Sequence, residues 1–76
     1  MDLSQVEKGT HAKVIRINAQ PSLKKRLASL GLSVGKEIEV LETTLQKNTI
    51  KIGIGLGSIA LRLDEARQID IEVKHA

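Results

Sequence analysis

Leu23-Lys-Lys-Arg-Leu-Ala-Ser-Leu-Gly-Leu-Ser-Val-Gly35 reads as one short amphipathic helix, stopped by Gly31 and followed by a tight turn that ends at Gly35. Leu23, Leu27 and Leu30 fall at i, i+4 and i+7, which places three leucines on one helical face. Ser22 is the expected N-cap, giving a helix over 23–30. Lys25 occupies the position where a capping box needs Glu or Gln. Lys24, Lys25 and Arg26 then crowd the first turn, where the helix dipole favours negative charge. A helix this short is not stable alone in water, so a sheet must hold it. Its basic end is either solvated surface, the usual state of exposed charge, or a docking place for something acidic, with Arg16 nearby in support.

The rest of the chain supplies the sheet. Residues 10–17 read as a strand with a change of phase: Ala12 and Val14 share one face, Ile15 and Ile17 the other. Such a slip implies a bulge or a strong bend. Leu3 to Gly9 reads as a turn or single helical turn, and 18–21 as a loop. Ile38 and Val40 alternate with Glu37 and Glu39 in a strand running towards Thr44. Residues 46–49 form a hairpin turn in which Asn48 can take a positive φ. Ile50, Ile52, Ile54 and Leu56 share one face of the next strand, with Lys51, Gly53 and Gly55 on the other. Gly57-Ser58 is expected to turn the chain into Ile59–Leu63. Asp64 could cap a single turn through Ala66, and Ile69, Ile71 and Val73 mark the last strand. The total is about five short strands with one helix inserted between the first two. In so small a chain this is mainly β and points to a closed or nearly closed barrel.

Composition sets the limits. Seventy-six residues make one domain, expected to span 1–76, and folding at this size removes only roughly 60% of the unfolded surface from water. Cysteine is absent, which excludes disulfides, thiolate metal sites and a cysteine nucleophile. Hydrophobic residues make up 41% and none is aromatic, so the core must be aliphatic. Without aromatics there is no stacking platform for single-stranded nucleic acid and no cage for a quaternary ammonium. Net charge is +3 with a pI near 9.5, less concentrated than a nucleic-acid binder usually carries. No signal peptide or membrane-length apolar run is seen, so a cytoplasmic protein without membrane insertion is expected.

Few residues carry chemistry. Gly53-Ile-Gly55-Leu-Gly57 superficially resembles a phosphate loop, but Ser58 and the strand-like context match neither a dinucleotide fingerprint nor a P-loop. Gly53 and Gly55 instead strip side chains from one strand face. They are weak candidates for a self-association or partner surface, where a glycine-lined strand edge could pair with a second copy. His11 and His75 lie at opposite ends of the chain, His75 in an expected frayed tail. His11 is a weak candidate for divalent-ion binding, because a firm site needs several convergent ligands. Glu37 and Glu39 share a face, but Glu42 has opposite parity, so the three read as solvated surface. No nucleophile–base–orienter set is present, and no enzymatic activity or cofactor is expected.

Taken together, several segments resemble the ferrous-iron transport protein A (FeoA) family over nearly the full length. They are Leu3…Gly9, Arg26-Leu27-x-x-Leu30-Gly31-Leu32-x-x-Gly35, Ile38-x-Val40, and Ile59-Ala-Leu-Arg62-x-Asp-Glu-Ala66-x-x-Ile69. The resemblance implies an SH3-like β-barrel and a small bacterial cytoplasmic protein assisting the FeoB transporter by binding its cytosolic GTPase region. Val34 stands where the family usually has Pro, the 46–49 turn lacks the usual Pro and Gly, and Gly53 and Gly55 replace larger residues. A related reading is a metal-binding or metal-sensing module similar to the C-terminal part of metal-dependent repressors. This chain has no room for their helix-turn-helix domain.

Overall fold

The first buried residue, Leu3, enters the core from a 3₁₀ turn at Leu3–Gln5. Asp2 caps this turn: its carboxylate accepts from Ser4 N at 2.9 Å, and Gln5 Oε1 accepts from Asp2 N at 2.9 Å. Gly9, at φ 91°, then turns the chain into β1, His11–Ile17. The computed structural model describes residues 1–44 and 46–74, so His75 lies outside the described residues. After β1 come α1 (Pro21–Ser29), β2 (Glu37–Thr44), β3 (Thr49–Ile54), β4 (Gly57–Arg62), α2 (Leu63–Ala66) and β5 (Ile69–Val73). The expected strand count and the helix between β1 and β2 are both present.

All strands join one antiparallel sheet in the order β4-β3-β2-β1-β5. The chain leaves the sheet at β4, one edge, and re-enters at β5, the other, through residues 63–68. Four of those residues are helical and rise only about 1.5 Å each. In a flat sheet the two edges would stand four strand spacings of about 4.8 Å apart. The sheet must therefore curl, as the small SH3-like barrel requires. Two bulges help it bend. One falls between Val14 and Arg16 against β5, where the sequence changes phase. The other falls between Val40 and Glu42 against β3.

The curl encloses an aliphatic core drawn from every strand, both helices and the 3₁₀ turn. Leu3, Val14, Leu27, Leu32, Val40, Ile50, Ile52 and Ile69 are fully buried, and no polar side chain is buried among the described residues.

The helix stretch differs from expectation in two respects. Pro21, not Leu23, begins α1: proline fixes φ and needs no N–H at the first helical position. Ser22 thus sits inside the helix, while the N-cap is Gln20 with no side-chain cap bond. At the other end Leu30 is the C-cap and 43% exposed, so it is not a core leucine. Gly31 adopts φ 92°, its N–H donates to Ala28 O at 3.0 Å, and Leu32 N donates to Leu27 O at 2.9 Å. This pair of bonds is a Schellman stop, whose apolar partners are the residue after the glycine and the one five positions earlier. Leu32 therefore packs with Leu27, and the reversal leaves Leu30 outside.

Two turns also differ. β3 ends at Ile54, so Leu56 does not continue its inner face; Gly55-Leu56 is the two-residue turn of the β3–β4 hairpin. Gly55 has φ 59° and Leu56 no positive φ, the type II′ pattern with glycine first. Gly57-Ser58 belongs to β4 instead of forming the turn. Asn48 does take positive φ, 57°, in the 46–48 turn. At α2 the N-cap is Arg62, not Asp64; Glu65 Oε1 reaches back to accept from Arg62 N at 3.0 Å.

Candidate functional site

The cationic corner is built on α1, held to the sheet by Leu27 and partly by Leu23. Because the helix starts at Pro21, Lys24 closes its first turn, Lys25 opens the second and Arg26 lies in its last. The conflict with the dipole expected for a helix starting at Leu23 is reduced to Lys24 alone, and Arg26 is favourably placed near the C-terminal end. Arg26 Nη2 pairs with Glu65 Oε2 on α2. Glu65 is only 15% exposed and also accepts from Arg62 N, so this contact fastens α1 to α2.

Arg16 is similarly engaged. Its Nε lies 3.4 Å from Asp70 Oδ2, which also accepts from Asn18 Nδ2 at 2.9 Å. The two arginines of the expected docking group are thus tied to the protein's own carboxylates. Lys24 and Lys25 are exposed, and among the described residues neither has a carboxylate within 4 Å. They form the part of the group that remains available to an outside anion.

The apolar surface near α1 is exposed as well. Leu30 and Val34 stand out on the segment that leaves the helix, and Ile15 on the β1 bulge. Gly35, at φ 94°, donates to Val14 O at 2.8 Å, and Val14 N donates to Lys36 O at 2.9 Å. These bonds hold the 33–36 turn against β1 and set Val34 close along the backbone to Ile15. Gly31 and Gly35 are turn residues, as expected.

Gly53 and Gly55 do not form a bare strand edge. β3 lies between β2 and β4, and Gly55 is in the turn. Leu41, the extra residue at the β2 bulge, covers Gly53: a Cβ added there would meet Leu41 Cδ1 at 3.5 Å. The same bulge resets parity, so Glu42 faces Lys51.

His11 lies across from Glu39, with Nε2 3.8 Å from Oε2, and both side chains are substantially exposed. The pair lines an open groove of about 200 Å³ with Glu37, Ile38, Gly53 and Gly55. That separation is too long for a hydrogen bond, and Glu37 is already paired with Lys74. No group of three metal-ligating side chains occurs among the described residues. A second groove, lined by Lys47, Asn48, Thr49 and Arg62, was not visible in the sequence. Pairing of Thr49 with Arg62 across β3 and β4 brings its two cations together.

The FeoA domain model matches residues 1–73. The chain belongs to the FeoA domain family. A Campylobacter jejuni relative named "Putative Fe(2+) transport protein A" is 30% identical over 73 residues, covering 96% of this chain and 99% of the relative. The solution structure of FeoA from Chlorobium tepidum superposes with a TM-score of 0.89 at 29% identity, over 96% of this chain and 70% of that one. The same FeoA fold recurs within a longer manganese-dependent transcriptional repressor, solved with manganese: TM-score 0.90, 25% identity, 97% of this chain and 36% of that one. No helix among the described residues is long and apolar enough to cross a membrane.

Proposed function

We propose that this protein is a non-catalytic cytoplasmic accessory to ferrous-iron uptake, docking on the cytosolic GTPase region of a FeoB-type membrane transporter. Membership of the FeoA family and a relative named for Fe(2+) transport support the iron assignment. The observation that carries the docking reading is the division of the cationic corner: Arg16 and Arg26 are held by Asp70 and Glu65, while Lys24 and Lys25 on α1 are exposed and have no carboxylate partner among the described residues. Two ammonium groups carried on a helix packed against the sheet suit an acidic protein surface, and Leu30 and Val34 are exposed on the segment that leaves the same helix. Exposed charges of this kind govern association rate and partner choice more than raw affinity. Docking would bias the GTPase between conformations, and ferrous ion is the transporter's cargo, with no resident metal needed here.

Calorimetric titration of the full chain into the transporter's soluble cytosolic region, with and without guanine nucleotide, tests the reading. Saturable binding that weakens as salt rises is expected. Absence of binding in both nucleotide states would overturn it.

A further inference from the structure

The two edges of the sheet are not equally protected. At β5 the N-terminal segment lies alongside: Asp2 bridges Asp70, and Ile71 N donates to Met1 O at 2.9 Å. At β4 no described segment does so. β4 is Gly57-Ser-Ile-Ala-Leu-Arg62, with no proline, no bulge and one charge at its end. It lacks the devices by which natural proteins guard exposed edges.

The hairpin register shows which groups are free. Ile54 and Gly57 close a two-residue turn and therefore exchange both hydrogen bonds, as do alternate pairs onward. The bond from Leu63 N to Asn48 O, 2.9 Å, continues the same parity. Gly57, Ile59 and Leu61 thus bond to β3, while the N–H and C=O groups of Ser58, Ala60 and Arg62 point outward. Arg62 N is already satisfied by Glu65. Two consecutive outward residues, Ser58 and Ala60, remain open and carry small, exposed side chains.

We propose that β4 pairs antiparallel with β4 of a second copy about a twofold axis at Ile59, Ser58 of each chain facing Ala60 of the other. This register alone uses only the open groups and makes four main-chain hydrogen bonds. Ile59, half-buried in the single chain, meets its symmetry mate at the closer, non-hydrogen-bonded spacing. Leu56, fully exposed at the turn, falls opposite Arg62 of the other copy and covers its aliphatic stem. No like charges face each other. The interface is isologous, as twofold dimers require. It is also small, well under the roughly 1,200 Å² of a stable complex, so pairing is weak and reversible.

Sedimentation equilibrium and amide hydrogen exchange over about 0.02–2 mM full-length chain test this, at concentrations suited to a weak interface. The expected result is a monomer–dimer equilibrium, with Ser58 and Ala60 amides gaining protection as concentration rises. Two variants report the register. Ser58→Lys/Ala60→Lys sets like charges opposite one another twice and should abolish the dimer. Ser58→Asp/Ala60→Lys sets opposite charges together twice and should strengthen it about 2- to 30-fold over the native chain. Both change only exposed side chains and share the like-charge cost of Ala60→Lys opposite Lys51 on β3, so equal melting temperatures for the two variants, with cooperative unfolding, would show that the fold is kept. A monomer throughout, or a dimer unaffected by the lysine pair, would overturn the proposal. So would protection of Ser58 and Ala60 only when the transporter's cytosolic region is added, which would assign the edge to a foreign strand.

Discussion

The β5 side and the β4 side of this sheet use similar strands to different ends. At β5, polar contacts accumulate: Asp70 holds Arg16 and Asn18, and Met1 O accepts from Ile71 N. At β4 the chain leaves Leu56 fully exposed, Ile59 half-covered and two outward residues open. One side ties the N-terminal segment and the end of β1 to the sheet. The other contributes Leu61 and part of Ile59 to the core and otherwise presents surface. A molecule with so small an interior keeps its binding groups where their loss does not unfold it.

The sharpest way to break this contrast is truncation on each side. Leu3→Ala removes a fully buried anchor beside β5 and should cost about 2–5 kcal/mol, measured as a lower urea midpoint. Leu56→Ala should change stability by less than about 0.5 kcal/mol. Comparable losses would erase the distinction. A smaller effect separates the glycines. Gly31→Ala forces a side chain into φ 92° and should cost about 1–2 kcal/mol. Gly53→Ala places its Cβ in ordinary contact with Leu41 and should be nearly neutral by the same denaturation assay. Smaller again is the ion pair: Arg26→Ala should lose about 1 kcal/mol or less, whereas Lys24→Ala and Lys25→Ala should lose nothing measurable. A double-mutant cycle of Arg26 with Glu65 should show coupling, and the same cycle with Lys25 none.

Local patterns made much of the fold legible. Alternation in Ile38–Val40, Ile50–Ile54 and Ile69–Val73 located strands, the phase slip at Val14–Ile15 located a bulge, and Gly31, Gly35 and Asn48 marked reversals that a positive φ confirms. Leu56 was placed inward because the apolar alternation runs unbroken through a turn. The Gly-x pair between alternating runs was the signal for a type II′ hairpin. Leu30 was placed inward because i+7 spacing ignores the helix stop; Gly31 followed by Leu32 was the cue that the chain reverses there. Ser22 drew the N-cap away from Gln20, although Pro21 already marked a first helical position.

The candidate site was less legible, for a different reason. Arg26 meets a carboxylate 39 residues away, and Arg16 meets one on the last strand. Arg16 and the run Lys24-Lys25-Arg26 therefore become two paired arginines and, among the described residues, two open lysines only once the sheet has closed. Nothing local distinguishes Lys25 from Arg26. The bulge at Leu41, which both covers Gly53 and brings Glu42 opposite Lys51, is likewise a consequence of pairing with β3.

Lys24 and Lys25 stand open to a partner while Arg16 and Arg26 hold the protein's own carboxylates. Affinity of Lys24→Glu/Lys25→Glu for the cytosolic GTPase region of the transporter tests it most directly. The expected result is a loss of about tenfold or more with the melting temperature unchanged. Undiminished affinity in a variant that folds normally would contradict it.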